Sequence, residues 1–172
     1  MMSVPEDHAH PGGNSIKIHV AVVPSLARRP DPDPVYFFAG GPGQAASDIG
    51  ALVSALADLR KKRDIVLVDQ RGTGKSKTLT CKAPTLDGEK TDPVRATLAM
   101  DDGAVRAEWS DCMASLKGNA AMHRTDDYIN DLEAVRKALG HSKINVWGGS
   151  YGSRVALRYM KRHPASIRAA VL

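Results

Sequence analysis

Apolar and polar positions along the chain alternate between two periods. Residues 14–23 follow period two. Ile16, Ile18, Val20 and Val22 point one way, and Lys17, His19 and Ala21 the other. This predicts a half-buried strand near a sheet edge. Val35 to Ala39 and Ile65 to Val68 are continuous apolar runs, the mark of strands covered on both faces. Between them, Asp48 to Arg60 sets Ile49, Leu52, Val53, Leu56 and Leu59 at helical spacing, with Ser47 or Asp48 as cap. Asp101 to Leu116 spaces Val105, Trp109, Met113 and Leu116 as a helix, which fits an inserted or lid-like element. Thr125 to Leu139 is a stronger helix. Ile129, Leu132, Val135, Ala138 and Leu139 form its apolar face, Thr125 or Asp126 caps it, and Gly140 stops it. Ile144, Val146 and Trp147 then predict a short core strand. Tyr151 to Arg162 reads as a helix with Val155 and Tyr159 inward, ended by Pro164, and Ile167 to Leu172 as another buried strand. Alternating strands and helices with buried, parallel-type strands predict an α/β, doubly wound and mostly parallel sheet.

Composition narrows the functional classes. The 172 residues are 42% apolar and 25% charged, with a net charge of +5, as expected for one globular domain. No apolar run reaches the ~18 residues of a membrane span, and residues 1–13 have no signal-peptide core. The basic run Arg60-Lys61-Lys62-Arg63 falls at a predicted helix end, where cations suit the helix dipole. No aromatic residue interleaves with it, which argues against nucleic-acid binding. Gly74-Lys75-Ser76 after a strand resembles the end of a phosphate-binding loop. That pattern needs glycine where Asp69 stands, and a carboxylate there repels phosphate, so no nucleotide site is expected. Cys81 and Cys112 lack the spacing of a metal or redox pair; they are either two reduced thiols or one disulfide. The six histidines read as surface or capping residues, and no metal or cofactor is expected.

Candidate chemistry gathers at strand exits. Gly148-Gly149-Ser150-Tyr151-Gly152 fits G-x-S-x-G, a strand-to-helix turn that projects a serine hydroxyl. Side chains at Gly148 or Gly152 would collide with neighbours, and the helix start at Tyr151 aims free N–H groups at a developing oxyanion. Gly40-Gly41-Pro42-Gly43 follows the Val35 strand as a bare-backbone loop, either a plain turn or the second donor of such a hole.

Three motifs in this order, AGGPG at 39–43, DQRGTGKS at 69–76 and GGSYGS at 148–153, resemble the α/β-hydrolase fold. Together with VPED at 4–7, LEAVRKALG at 132–140 and RAAVL at 168–172, they are similar to the proline iminopeptidase and tripeptidyl-aminopeptidase branch of serine peptidases. The resemblance implies Ser150 as nucleophile and the N–H groups of Gly41 and Tyr151 as oxyanion hole. Asp69 and Arg71 would brace the loops, with Gly40, Pro42, Gly43, Gly148, Gly149 and Gly152 in support. It also implies a Cys81–Cys112 pair and an exported, periplasmic or secreted enzyme whose signal precedes this stretch; without one, a cytoplasmic location follows. Ala39 stands where the family often has histidine. The family order of serine, acid, then histidine puts the acid and base after Leu172, so the chain reads as the N-terminal half of the sheet. The implied substrates are peptides cut near a free N-terminus. An esterase or lipase of the same fold, and an inactive fragment, are the alternatives.

Overall fold

The computed structural model describes residues 1–53, 57–76, 79, 98–116 and 118–172. The chain divides into two compact units, Met1–Thr78 with Met122–Leu172, and Leu79–Ala121.

The first unit is built on a five-stranded sheet and a hairpin. Strands β1 (Met2–Pro5) and β2 (Ser15–Ile18) pair antiparallel, with Val4 opposite Ile16. The sheet contains β3 (Val20–Val23), β4 (Val35–Phe38), β5 (Ile65–Val68), β6 (Ile144–Gly148) and β7 (Ile167–Val171), in the order β3-β5-β4-β6-β7. β3 runs antiparallel to β5, and the other pairings are parallel. Continuous apolar runs form the middle strands because both faces are covered. Tyr36 and Phe38 enter one apolar cluster with Val66, Val68, Ile129, Leu132, Val155 and Tyr159. Phe37 enters the opposite one with Ala46, Ile49, Ile65 and Leu67. Each large side chain buried this way contributes roughly 1.5–3 kcal/mol.

Helix α1 (Ala57–Arg60) precedes β5, and α2 (Asp102–Ser115) lies in the second unit. The Asp101 carboxylate accepts the Ala104 N–H and caps α2. No residue of α2 is buried, so its apolar spacing marks no packed face; Trp109 and Met113 are exposed. Helix α3 (Thr125–Ala138) is preceded by Arg124 rather than capped by Thr125 or Asp126, and Asp127 reaches back to accept the Arg124 N–H at 3.1 Å. Gly140, at φ 73°, follows its end. Helix α4 (Tyr151–Arg162) packs on β6 and β4 with Val155, Ala156 and Tyr159 buried.

Three further expectations change, and one strand, β1, was not foreseen. The period-two stretch 14–23 is two strands broken at His19: Ile16 and Ile18 are buried, whereas Val22 is exposed. The strand leaves the hairpin and joins the main sheet there, and a bend between sheets interrupts the shared face. Residues 2–5 form a strand although only Val4 among them is buried, because pairing with β2 holds them. Where a single helix over 48–60 is expected, Ala46–Val53 is a 3₁₀ segment kinked at Ile49 and Ala57–Arg60 is the turn α1, with residues 54–56 outside those described. Finally, β7 is exposed along Arg168–Val171, since among the described residues it pairs with β6 alone.

Candidate active site

At the exit of β6 the chain turns through Gly149 and Ser150 into α4. Ser150 has φ 55° and ψ −123°, and is the non-glycine residue with positive φ among those described. Holding a residue with a Cβ there costs about 1–3 kcal/mol. Close packing fixes the turn. A Cβ on Gly148 would lie 2.5 Å from the Gly152 carbonyl oxygen. One on Gly152 would overlap the Phe38 carbonyl, which is how α4 approaches the end of β4. Gly149 has open space around its missing Cβ. Ser150 is exposed, and its hydroxyl caps no N–H of α4. The Ser153 hydroxyl instead donates to the Gly148 carbonyl at 3.0 Å, and the Tyr151 and Thr125 hydroxyls meet at 2.7 Å, tying the starts of α4 and α3.

The glycine-rich loop after β4 meets this turn. A Cβ on Gly40 would stand 3.5 Å from the Ser150 Cβ and 3.7 Å from the Gly149 carbonyl oxygen. Gly41 has φ 104°, and a Cβ there would lie 2.6 Å from the Gly43 nitrogen. Gly41, Pro42 and Gly43 are exposed. Among the described residues, neither the Gly41 nor the Tyr151 N–H has a hydrogen-bond acceptor. The predicted residues thus supply an exposed hydroxyl at a helix start and two amides without an acceptor among the described residues, and Gly40 lies against the Ser150 turn.

Asp69 holds the loops. Fully buried at the end of β5, its Oδ1 accepts the Ser47 N–H at 2.8 Å. Its Oδ2 accepts the Ser47 hydroxyl at 2.9 Å, the Lys75 N–H at 3.1 Å and His19 Nδ1 at 3.0 Å. Ser47 is therefore hooked to Asp69 rather than capping a helix. A Cβ on Gly74 would strike the Asp69 Oδ2 at 2.6 Å, so glycine is needed where that loop passes the carboxylate. The Ser76 hydroxyl links the Asp69 carbonyl at 3.1 Å and the His19 N–H at 3.0 Å. In this segment, therefore, the Lys75 amide and the Ser76 hydroxyl are already engaged.

Arg71 does different work. Its buried guanidinium pairs with Asp131 on α3 through Nε at 2.7 Å and Nη2 at 2.6 Å. Nη1 donates to the carbonyls of Glu6 and Met122 at 2.7 and 2.6 Å, and Nη2 to Pro5 at 3.3 Å. All five guanidinium donors are thereby used, on the end of β1, on α3 and on residue 122. Arg71 braces the hairpin against α3; none of these bonds reaches the glycine-rich loop.

The surface-or-cap reading fails for several histidines. His8 binds the buried Asp131 at 2.7 Å, His19 binds Asp69, and His141 binds the Tyr36 hydroxyl at 2.9 Å. Burial lowers the pKa of His141 and of His163, which closes α4 with its N–H on the Tyr159 carbonyl. For His8, His19 and His141 no local pattern marks these roles, since each partner lies far off in sequence, whereas His163 does cap its helix. No hydrogen bond joins a histidine to Ser150 among the described residues. Cys112 lies on α2; Cys81, and with it the expected pair, lies outside the described residues.

Residues 33–172 match the family of the alpha/beta hydrolase fold. The chain belongs to the α/β-hydrolase family. It is 30% identical over 182 residues to a tripeptidyl aminopeptidase of Streptomyces coelicolor, an alignment covering 99% of this chain and 34% of that one. It is 30% identical over 144 residues to a proline iminopeptidase of Neisseria meningitidis, covering 83% and 33%. The crystal structure of a proline iminopeptidase from Mycobacterium smegmatis superposes with a TM-score of 0.59 at 20% identity, covering 98% of this chain and 42% of that one. This α/β-hydrolase chain spans about a third of the length of the curated relatives it matches.

Proposed function

We propose that this chain carries the nucleophile and oxyanion hole of a serine hydrolase that releases residues from peptide N-termini. One observation supports it above the rest: the strained, exposed Ser150 stands against the Gly40 loop, and the Gly41 and Tyr151 N–H groups have no acceptor among the described residues. In this reading the Ser150 Oγ attacks a carbonyl carbon. The Gly41 and Tyr151 amides receive the oxyanion, the amine leaves, and water hydrolyses the acyl-enzyme. A lone serine is a weak nucleophile, so a base must accept its proton. The proposal assigns that base and its acid partner to the length that the relatives have beyond what this chain covers. The peptide substrate class follows the peptidase names of the relatives.

The test uses the natural protein at its full length. A fluorophosphonate probe is expected to label Ser150, identified by peptide mass. Ser150→Ala is expected to abolish labelling and to lower aminoacyl-arylamide turnover by at least ~10³-fold. Labelling elsewhere, or turnover that survives Ser150→Ala, would sink the proposal. Ester turnover with no arylamide cleavage would move the assignment to an esterase.

A further inference from the structure

We propose that His19 is a positioning residue for the oxyanion-hole loop, acting through Asp69. The inference rests on the serine-hydrolase reading and deepens it. Asp69 is fully buried, and among the described residues its one ion-pair partner is His19. Four bonds reach this buried carboxylate: the Ser47 N–H on Oδ1, and the Ser47 hydroxyl, the Lys75 N–H and His19 Nδ1 on Oδ2. Ser47 stands at the far end of the segment that starts with Gly40 and Gly41. Ala45 and Ala46, just before it, are buried, so the loop is seated at this end and free at its tip. How the Asp69 carboxylate is turned therefore fixes where the loop is anchored, and with it the Gly41 amide.

His19 is built into place from both sides. It occupies the bend between β2 and β3. Its carbonyl accepts the Asp69 N–H at 3.0 Å, and its own N–H goes to the Ser76 hydroxyl. Its backbone is thus clamped to the Asp69 segment, and its Nδ1–H is directed at Oδ2. Its side chain is 17% exposed. Removing the imidazole donor leaves Oδ2 with Ser47 and Lys75 alone and lets the carboxylate rotate away from the Ser47 amide. A hole whose amide is displaced stabilises the transition state less, while ground-state binding changes little.

The experiment compares His19→Leu with His19→Asn in the natural protein at its full length. The Asn side-chain amide reaches where Nδ1 does, whereas Leu keeps bulk and removes the donor. His19→Leu is expected to lower kcat about tenfold with KM within about twofold, and His19→Asn to restore kcat to within about threefold of the parent. Hydrogen exchange of the Ser47 amide is expected to speed up in the Leu variant and return towards the parent rate in the Asn variant. Leu and Asn variants that lose kcat equally, or a Ser47 amide whose exchange does not change in the Leu variant, would overturn the proposal. Exchange needs no turnover, so an inactive parent would defeat the hydrolase reading while still deciding whether His19 anchors the loop.

Discussion

Gly152 packs so closely under the end of β4 that a single carbon has nowhere to go. The atoms it would meet are the Phe38 and Ala39 carbonyls, backbone of a central strand that cannot yield as a side-chain tip could. Gly149, three residues earlier in the same turn, meets nothing within 4 Å. The two glycines therefore separate packing from mere turn preference. Gly152→Ala is expected to cost about 3 kcal/mol or more, or to prevent folding, and Gly149→Ala to stay within ~1 kcal/mol of the parent. Urea unfolding midpoints check this; equal losses would show that the close approach of α4 to β4 is not what demands glycine. At this scale the G-x-S-x-G spacing was informative in the sequence because its constraint is local: Gly148 meets Gly152 and Ser153 within its own turn. The Ser47–Asp69–His19 cluster was not, because its members are 22 and 50 residues apart and nothing in their neighbours marks the meeting.

Helices α3 and α4 are joined by a polar clasp as well as by apolar packing. Glu133 on α3 accepts from Arg136 at 2.7 and 2.8 Å and from the Tyr159 hydroxyl on α4 at 2.8 Å. Burial opposes its ionisation, but the bonds from Arg136 and Tyr159 outweigh this and bring its pKa down from 4.5 to about 2. A carboxyl with a depressed folded-state pKa adds stability that is complete above the unfolded value and is lost as pH falls through the folded one. The clasp should therefore be whole above about pH 4.5 and fade towards about pH 2. Glu133→Gln is expected to cost roughly 2–4 kcal/mol at neutral pH, with the gap to the parent closing as pH falls through that window. Thermal unfolding at several pH values measures it; a gap that stays constant down to acid pH would rule out ionised Glu133 as the source. Elements with such internal cues were predictable. The apolar faces of α3 and α4 repeat within a few residues, and β4, β5 and β6 are apolar throughout because both of their faces are covered. β1 was hidden because it exists through pairing with β2, and the break at His19 because the alternating pattern runs on through it. The apolar run of β7 described its composition and not its surroundings, and the strand is exposed.

Among the described residues the sheet has two unlike edges. β3 presents an antiparallel edge beside β5, and β7 a parallel one beside β6. On β7, Val171 is 58% exposed and Leu172 next to it is also exposed. A cavity of about 200 Å³, lined by Val35, Trp147, Ala169 and Val171, adjoins that strand. Exposed apolar side chains beside unpaired backbone groups are the conditions under which strands recruit other strands. Residues 1–172 expressed alone are therefore expected to self-associate as concentration rises, through β7. Val171→Lys places a charge on that edge and should shift the elution of the piece towards the monomer, because a desolvated lysine opposes edge pairing. Val22→Lys, at the exposed position of β3 on the other edge, supplies the comparison. Sedimentation or size-exclusion runs over a range of concentrations decide between them. A larger effect at Val22 would assign association to β3, and no effect at either position would show that neither edge drives it. The open parallel edge and the strained serine turn belong to neighbouring strands, since β6 carries Ser150 at its exit and β7 pairs along its flank. A strand added to β7 would thus extend the sheet on the side of β6 away from the glycine-rich loop, without displacing Gly40 from Ser150.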